Sequence, residues 1–323
     1  MIREPIRHII ENCISEDRKK LLLIVDDSTE RMADAAQIAA EDAGRHMEVC
    51  RIPCVENHGR ELPPDVSDRM LATDAVMCMT RYSFAHSYAR SRIGSKGIPF
   101  LSMPDYNEEM LKNPAVLADY HKASLAVDRY AGLLSEAATI RVTSDIGTDL
   151  MIDVTGRTGN SCPGFTDEEH LLGSPPDIEA NISPVEPVTH GVIAVDGSVT
   201  DRSVGLLNTV VYLHVENGAV KKIVSEDPFL EESVKKLFQA VGNPKAYIVG
   251  ELGIGFNDRA ELCGNMLIDE GTRGCVHFGI GSNWTIGGQN RVDFHLDFVI
   301  RNATVETDGR VIIHRGELLY EHG

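Results

Sequence analysis

No stretch of the 323 residues approaches roughly 18 consecutive apolar side chains, and the opening MIREPIRHII has no long apolar segment. Neither a membrane span nor export is therefore expected, and the chain reads as cytoplasmic. Basic residues are in the minority. The 31 Lys and Arg face 49 Asp and Glu, a formal net charge of −18, which repels nucleic-acid backbones and anionic lipid and so excludes both as expected partners. Paired cysteines are missing too. The seven, at positions 13, 50, 54, 78, 162, 263 and 275, are odd in number and hold no CxxC, the pattern of reduced thiols rather than of a disulfide framework. Absent as well are a GxGxxG after the first strand, a Walker A sequence, a GxSxG and any metal signature as strict as HExxH. Nothing assigns the N-terminal region to a dinucleotide, and no internal repeat or low-complexity segment is present.

What remains is an ordinary globular composition, 42% hydrophobic and 25% charged, in a chain long enough for two domains. Apolar runs at 21–25 (LLLIV), 47–52, 75–79 and 100–103 alternate with helical patterns at 31–43 and 88–94. Strands separated by helices imply right-handed crossovers and a mainly parallel sheet, so residues 1–137 are expected to form an α/β domain closed by a long helix over 115–137. From 139 onward the character turns to β: IRVTS, LMIDV, VIAVDG, TVVYLHV and VKKIV, with hairpin turns at Asn217-Gly218 and Asp308-Gly309 and one amphipathic helix at 231–241. Residues 138–323 are therefore expected to form an α+β domain. The polar loop 156–176 reads equally as a lid or as a long surface connection.

Chemistry concentrates in GCVHFGIGSNWTIGGQNRVDFHLD, residues 274–297. His295 and Asp297 stand two apart in an alternating run and share one strand face, and the glycine-rich link 279–288 allows the run around His277 to fold back as an antiparallel neighbour. Two imidazoles and a carboxylate so placed suit zinc, manganese, cobalt or non-haem iron. A surface His-x-Asp pair with a hydrogen-bonded core His277 fits the same letters. Cys275, pointing to the opposite face, reads as core. Glu251 and Glu179 would each be solvated acids if alone; converging with His277, His295 and Asp297, they complete the donor set that two close divalent ions need. His86 is placed to act as a substrate-contacting or proton-transferring group, or else as a surface histidine at a helix start. His190 reads as structural, and Gly253, Gly255, Gly279 and Gly281 as turn glycines.

The segments DAVMCMTRYSFAHSYARSRIGSKGIPFLSMP, IRVTSDIGTDLMIDVTGR, IEANISPVEPVTHGVIAVDGS, GELGIGFN and GCVHFGIGSNWTIGGQ...FHLDFVI resemble, in this order and over nearly the whole chain, the aminopeptidase T (thermophilic leucyl aminopeptidase) superfamily of metallopeptidases. The resemblance implies a cytoplasmic homodimeric metallohydrolase acting on a peptide or small amide. Its metal ligands would fall on Glu179, Glu251, His277, His295 and Asp297, with Glu251 also the bridging ligand or general base for a metal-activated hydroxide. Two positions depart from the aminopeptidases: Thr272, with Asp269 and Glu270 nearby, stands where they carry another glutamate, and Trp284 where they carry a tyrosine. The same superfamily includes 2,5-dihydroxypyridine 5,6-dioxygenase, similar in length, which holds one Fe(II) by two histidines and a carboxylate. Its first histidine corresponds to Glu251, its counterparts of His277 and Glu179 are apolar, and a pocket histidine corresponds to His86. Metal-dependent amide hydrolysis with one or two Zn, Mn or Co ions is thus the expected function. Iron-dependent ring cleavage using His277, His295 and Asp297, with Glu251 as an extra ligand, is the alternative, and a metal-binding protein without catalysis a third.

Overall fold

The computed structural model describes residues 2–321 except 57, 59 and 86. The chain divides into two compact units, residues 1–121 with 162–176 and residues 122–161 with 177–323. Compared with a contiguous division at 137/138, two segments change sides. Most of the helix Tyr120–Glu136 lies in the second unit, where Tyr130 packs edge-on against Phe256 and donates to Ile312 O at 2.8 Å. Residues 162–176 return to the first, because Leu172–Gly173 pairs with Phe100–Ser102 and Thr166 donates to Cys13 O. Apolar periodicity shows which residues of a helix are covered; it does not show which core covers them.

In the first unit the strand order is His46–Arg51, Lys20–Val25, Ala75–Met79, Phe100–Ser102, Leu172–Gly173, parallel throughout. The helix Arg3–Cys13 precedes the first strand, and Ala33–Asp42, Pro64–Met70 and Tyr88–Gly94 intervene between strands, as an α/β fold requires. The runs LLLIV and AVMCM are buried along their whole length. Continuous apolar strands of this kind are what a parallel sheet covered on both faces demands. Ser87 begins the last of these helices by accepting from Arg90 N.

The second unit contains two antiparallel sheets. One has eight strands, in the order Ala219–Ser225, Val211–Glu216, His190–Val195, Asp149–Asp153, Thr139–Thr143, Thr304–Thr307, Arg310–His314 and Glu317–Leu318. Its two strands between 139 and 153 alternate exposed and buried side chains, the period-2 pattern of a sheet wetted on one face. Asn217 (φ 52°) and Gly218 (φ 72°) form the expected tight hairpin turn, as do Asp308 (46°) and Gly309 (84°). The amphipathic helix runs from Pro228 to Val241, a turn longer than the hydrophobic pattern indicated. Asp227 caps it by accepting from Phe229 N and Leu230 N, and Gly242 at φ 64° stops it.

The other sheet has seven strands: Gly205–Leu206, Ser198–Val199, His295–Ile300, Val276–Gly281, Leu252–Gly255, Glu179–Ile182 and Asn160–Cys162. Its central strands are buried on both faces although one face is polar. Covered polar faces are rare in sheets unless the polar groups have partners or a ligand to hold.

Candidate metal centre

Directly paired residues of antiparallel strands project from one face. The register pairs His277 with Gly253 and Val299, Gly279 with Asp297, Gly281 with His295, and Gly255 with Glu179. Glu179, His277, His295 and Asp297 therefore share a face, and Glu251, two residues before Gly253, joins them. Leu252, Ile254, Phe278, Ile280, Leu296 and Phe298 fill the opposite face and are buried. Cys275 is buried as expected, but the opposite-face expectation is corrected: it stands two residues before His277, at the same parity, just outside the strand Val276–Gly281.

The expectation that Gly253, Gly255, Gly279 and Gly281 belong to turns is corrected: all four lie in strands. They are there for room. A Cβ on Gly253 would overlap the His277 ring, and one on Gly279 would collide with the His295 ring and come within 2.8 Å of Glu251 Cβ. Each imidazole lies over a glycine of the neighbouring strand. Glu251 follows the helical turn Pro244–Tyr247 and immediately precedes the strand Leu252–Gly255.

Two trios of donor atoms result, Glu179, Glu251, His277 and Glu251, His295, Asp297, each with its atoms within 4.8 Å of one another. Glu251 belongs to both. His277 Nε2 lies 3.0 Å from Glu179 Oε2, and His295 Nε2 lies 3.1 Å from Glu251 Oε2 and 3.0 Å from Asp297 Oδ1. Neither glutamate is the solvated acid it would be in isolation: Glu179 and Glu251 are 7% and 6% exposed. The surrounding shell fixes the ligands. His295 Nδ1 contacts Ser282 O at 2.8 Å, which as donor leaves Nε2 free to ligate, and Asn181 Nδ2 donates to Glu179 Oε1 at 2.7 Å. Thr200 brackets Asp297, accepting from its backbone N–H at 3.2 Å and facing its Oδ2 at 3.4 Å.

Asp177 and Glu270 were not among the expected ligands, yet both adjoin this centre. Asp177 is buried, and Glu270 hydrogen-bonds to Asp297. Asp177 stands at the same parity as Glu179, so alternation alone placed it on the donor face. Glu270 arrives because Gly255 lets the backbone of 270–272 approach closely. Of its neighbours, Asp269 caps Cys263 N and Gly264 N, and Thr272 donates to Ile268 O. His190 is exposed beside Val188 O, His170 pairs with Asp167, and His86 lies outside the described residues. Trp284 is 57% exposed on the turn after the His277 strand.

The charge state of this cluster follows from burial and crowding. Burial alone would lower His277, but Glu179, Asp297 and Glu251 outweigh it and raise the imidazole to about 9. His295 is raised likewise against burial by Asp297 and Glu251, and Asp297, which burial would raise, is held below its ordinary value by His295 and His277. Burial and neighbouring carboxylates push Asp177 and Glu270 well up. Glu251 is pushed up by burial despite its bond to His295. Among the described residues Asp177 Oδ1 and Glu270 Oε1 are buried without a hydrogen-bond partner, and Glu179 Oε2 is buried against His277 Nε2. Desolvated, orphaned carboxylate oxygens beside imidazole nitrogen form a donor set that fits a divalent cation of borderline softness.

A family model described as 2,5-dihydroxypyridine 5,6-dioxygenase matches residues 3–320. The chain belongs to this family. A curated relative of that name from Pseudomonas putida is 22% identical over 197 residues, which cover 58% of this chain and 56% of the relative, so the match spans little more than half of its length. The solved 2,5-dihydroxypyridine dioxygenase of Pseudomonas putida superposes with a TM-score of 0.82 at 18% identity, covering 99% of this chain and 97% of that one. AmpT from Thermus thermophilus superposes with a TM-score of 0.69 at 12% identity, covering 98% and 99%. The two likenesses show a common fold, and the family membership and the donor set together support an enzyme able to bind a divalent metal. Among the described residues no helix is long and apolar enough to cross a membrane.

Two outcomes follow from this geometry. The raised carboxylates and imidazoles mean that the metal-free native state binds more protons than the unfolded chain, so stability falls as pH rises through the window up to about 9; the lowered Asp297 acts oppositely, but only below its ordinary range. Calorimetric melting with chelator from pH 6 to 9 should show a falling midpoint that Mn(II) or Fe(II) restores, and a flat or rising midpoint would contradict the assigned charge states. Substituting Gly279→Ala should displace His295 and weaken metal binding by about 10–100-fold while circular dichroism stays native. Unchanged affinity by competition with a fluorescent chelator would show that the close approach is unnecessary.

Proposed function

We propose that this chain opens a hydroxylated aromatic ring with molecular oxygen, using iron(II) held by Glu251, His295 and Asp297. The observation that supports this most is the second trio itself, found in a chain of the dioxygenase family: three donors within 4.8 Å, one of them, His295, with a side chain 35% exposed. The nearby His277 and Glu179 are sealed, at 2% and 9% side-chain exposure, so the His295 side is where a substrate arrives. Bound there, iron(II) supplies the redox chemistry that lets a closed-shell ring react with dioxygen. The chain's own groups do the rest. Ser282 O and Thr200 hold the ligands in orientation, and Glu270 beside Asp297 is placed to take up or return a substrate proton.

A second reading, amide hydrolysis, draws on a separate observation: the Glu179, Glu251, His277 trio shares Glu251 with the first, which suits two adjacent zinc, manganese or cobalt ions. Such ions supply Lewis-acid chemistry, with Glu251 as bridging ligand or base.

Elemental analysis of anaerobically purified protein, followed by oxygen-electrode assays with 2,5-dihydroxypyridine, separates the two. The expected result is about one iron per chain and oxygen uptake coupled to loss of the ring chromophore. Glu251→Gln should lower kcat/KM by at least about 100-fold. About two zinc or manganese ions, no oxygen uptake and release of amine from aminoacyl amides would replace ring cleavage with hydrolysis.

A further inference from the structure

Trp284 is the only tryptophan of the chain, and it is 57% exposed rather than packed. Its turn is anchored by hydrogen bonds. The preceding Asn283 is fully buried, donates to Ser183 Oγ (2.8 Å) and Glu186 Oε1 (3.1 Å), and accepts from Asn290 N (2.8 Å). The turn Trp284–Ile286 is also tied to both halves of the metal centre. Ser282 O, two residues before the indole, contacts His295 Nδ1. Ile286 O, two residues after it, accepts from Asn160 Nδ2, which also donates to Asn181 Oδ1, and Asn181 in turn donates to Glu179. Across the ring lies the exposed Arg291, its guanidinium carbon 5.7 Å from the indole centroid. A large aromatic ring held by a fixed turn, uncovered and backed by a cation, is a stacking platform rather than a core residue.

We infer that Trp284 and Arg291 form the recognition wall beside the metal centre and take a planar aromatic ring that carries a negatively charged substituent. The inference rests on the ring-cleavage reading and names its substrate class. Indole stacking selects flatness. Arg291 supplies a fixed positive charge against an anionic group, in a chain whose net charge of −18 otherwise repels anions. Trp284 touches substrate in this arrangement, and the contacts of Ser282 O with His295 and of Ile286 O, through Asn160 and Asn181, with Glu179 link its turn to the ligands.

The test is binding, read apart from turnover. Metal-loaded protein is titrated anaerobically with pyridine-3-carboxylate, with uncharged 3-methylpyridine and with non-aromatic cyclohexanecarboxylate, by calorimetry and by quenching of the single indole. Wild type should bind the pyridine carboxylate at least about tenfold more tightly than either control, with saturable quenching. Trp284→Ala should lose about tenfold in affinity and Trp284→Phe should restore most of it, while Arg291→Gln should abolish the preference for the carboxylate but leave 3-methylpyridine unchanged. Equal affinity of wild type and Trp284→Ala, or equal affinity for flat and puckered carboxylates, overturns the assignment. The metal content of each variant must match wild type. Oxygen-dependent ring opening with an unchanged KM in Trp284→Ala would sink the wall and leave ring cleavage standing. Selective ring binding without oxygen uptake would do the reverse.

Discussion

Five carboxyl groups, Asp177, Glu179, Glu251, Glu270 and Asp297, meet two imidazoles, His277 and His295, in a space largely closed to water. Two like charges about 4 Å apart repel by roughly 4 kcal/mol at an effective dielectric near 20, so even two imidazolium ions leave this cluster with uncompensated negative charge. Protons or a metal cation must make up the balance. Most of the metal-free pKa shifts express that demand, Asp297 between its two imidazoles excepted: imidazoles hold protons too tightly, and several carboxyls refuse to ionise. The second unit is arranged to meet the demand in one place. Its seven-stranded sheet buries both faces, one with aliphatic and aromatic side chains and the other with ligands.

Such a face is possible only where the sheet makes room. Across neighbouring strands the side chains of a paired position are close enough to touch, and an imidazole pressed against another side chain would be forced away from its partners. Gly253 and Gly279 remove that obstacle, so the rings lie across the sheet and their Nε2 atoms reach carboxylates on strands far apart in sequence. Asn181, Thr200 and Ser282 then fix the orientation of the ligands. Sheet register, glycine placement and ligand geometry are one constraint.

Much of this can be read in the chain before any coordinates. ELGIG and HFGIG put Glu251, Gly253, Gly255 and His277, Gly279, Gly281 on one face by simple alternation, with Leu252, Ile254, Phe278 and Ile280 on the other. LLLIV and AVMCM announce covered parallel strands, and Asn217-Gly218 announces its hairpin. The same glycines, read as turn formers, hide the strands they belong to, because glycine's backbone freedom and its lack of a Cβ leave identical letters. Asp177 was legible by parity with Glu179. Glu270 was not, since it enters from a loop brought close by Gly255, a non-local approach that no periodicity encodes. The docking of 162–176 beside Phe100–Ser102 is equally non-local.

The ligand charge count links the centre to the residues beside it. Glu251, His295 and Asp297 carry two negative charges, so a divalent ion among them is neutral, whereas two histidines and one carboxylate leave a net positive charge. A neutral centre attracts an anionic substrate weakly. The carboxylates of Asp177, Glu179 and Glu270 reduce that attraction further unless protons or a second cation offset them. Positive charge for substrate binding must then come from elsewhere, and Arg291 beside the Trp284 ring supplies it without adding to the ligand set. The acidic donor cluster and the cationic aromatic wall complement each other: one strengthens the hold on metal, and the other restores a pull on anions that the first removes.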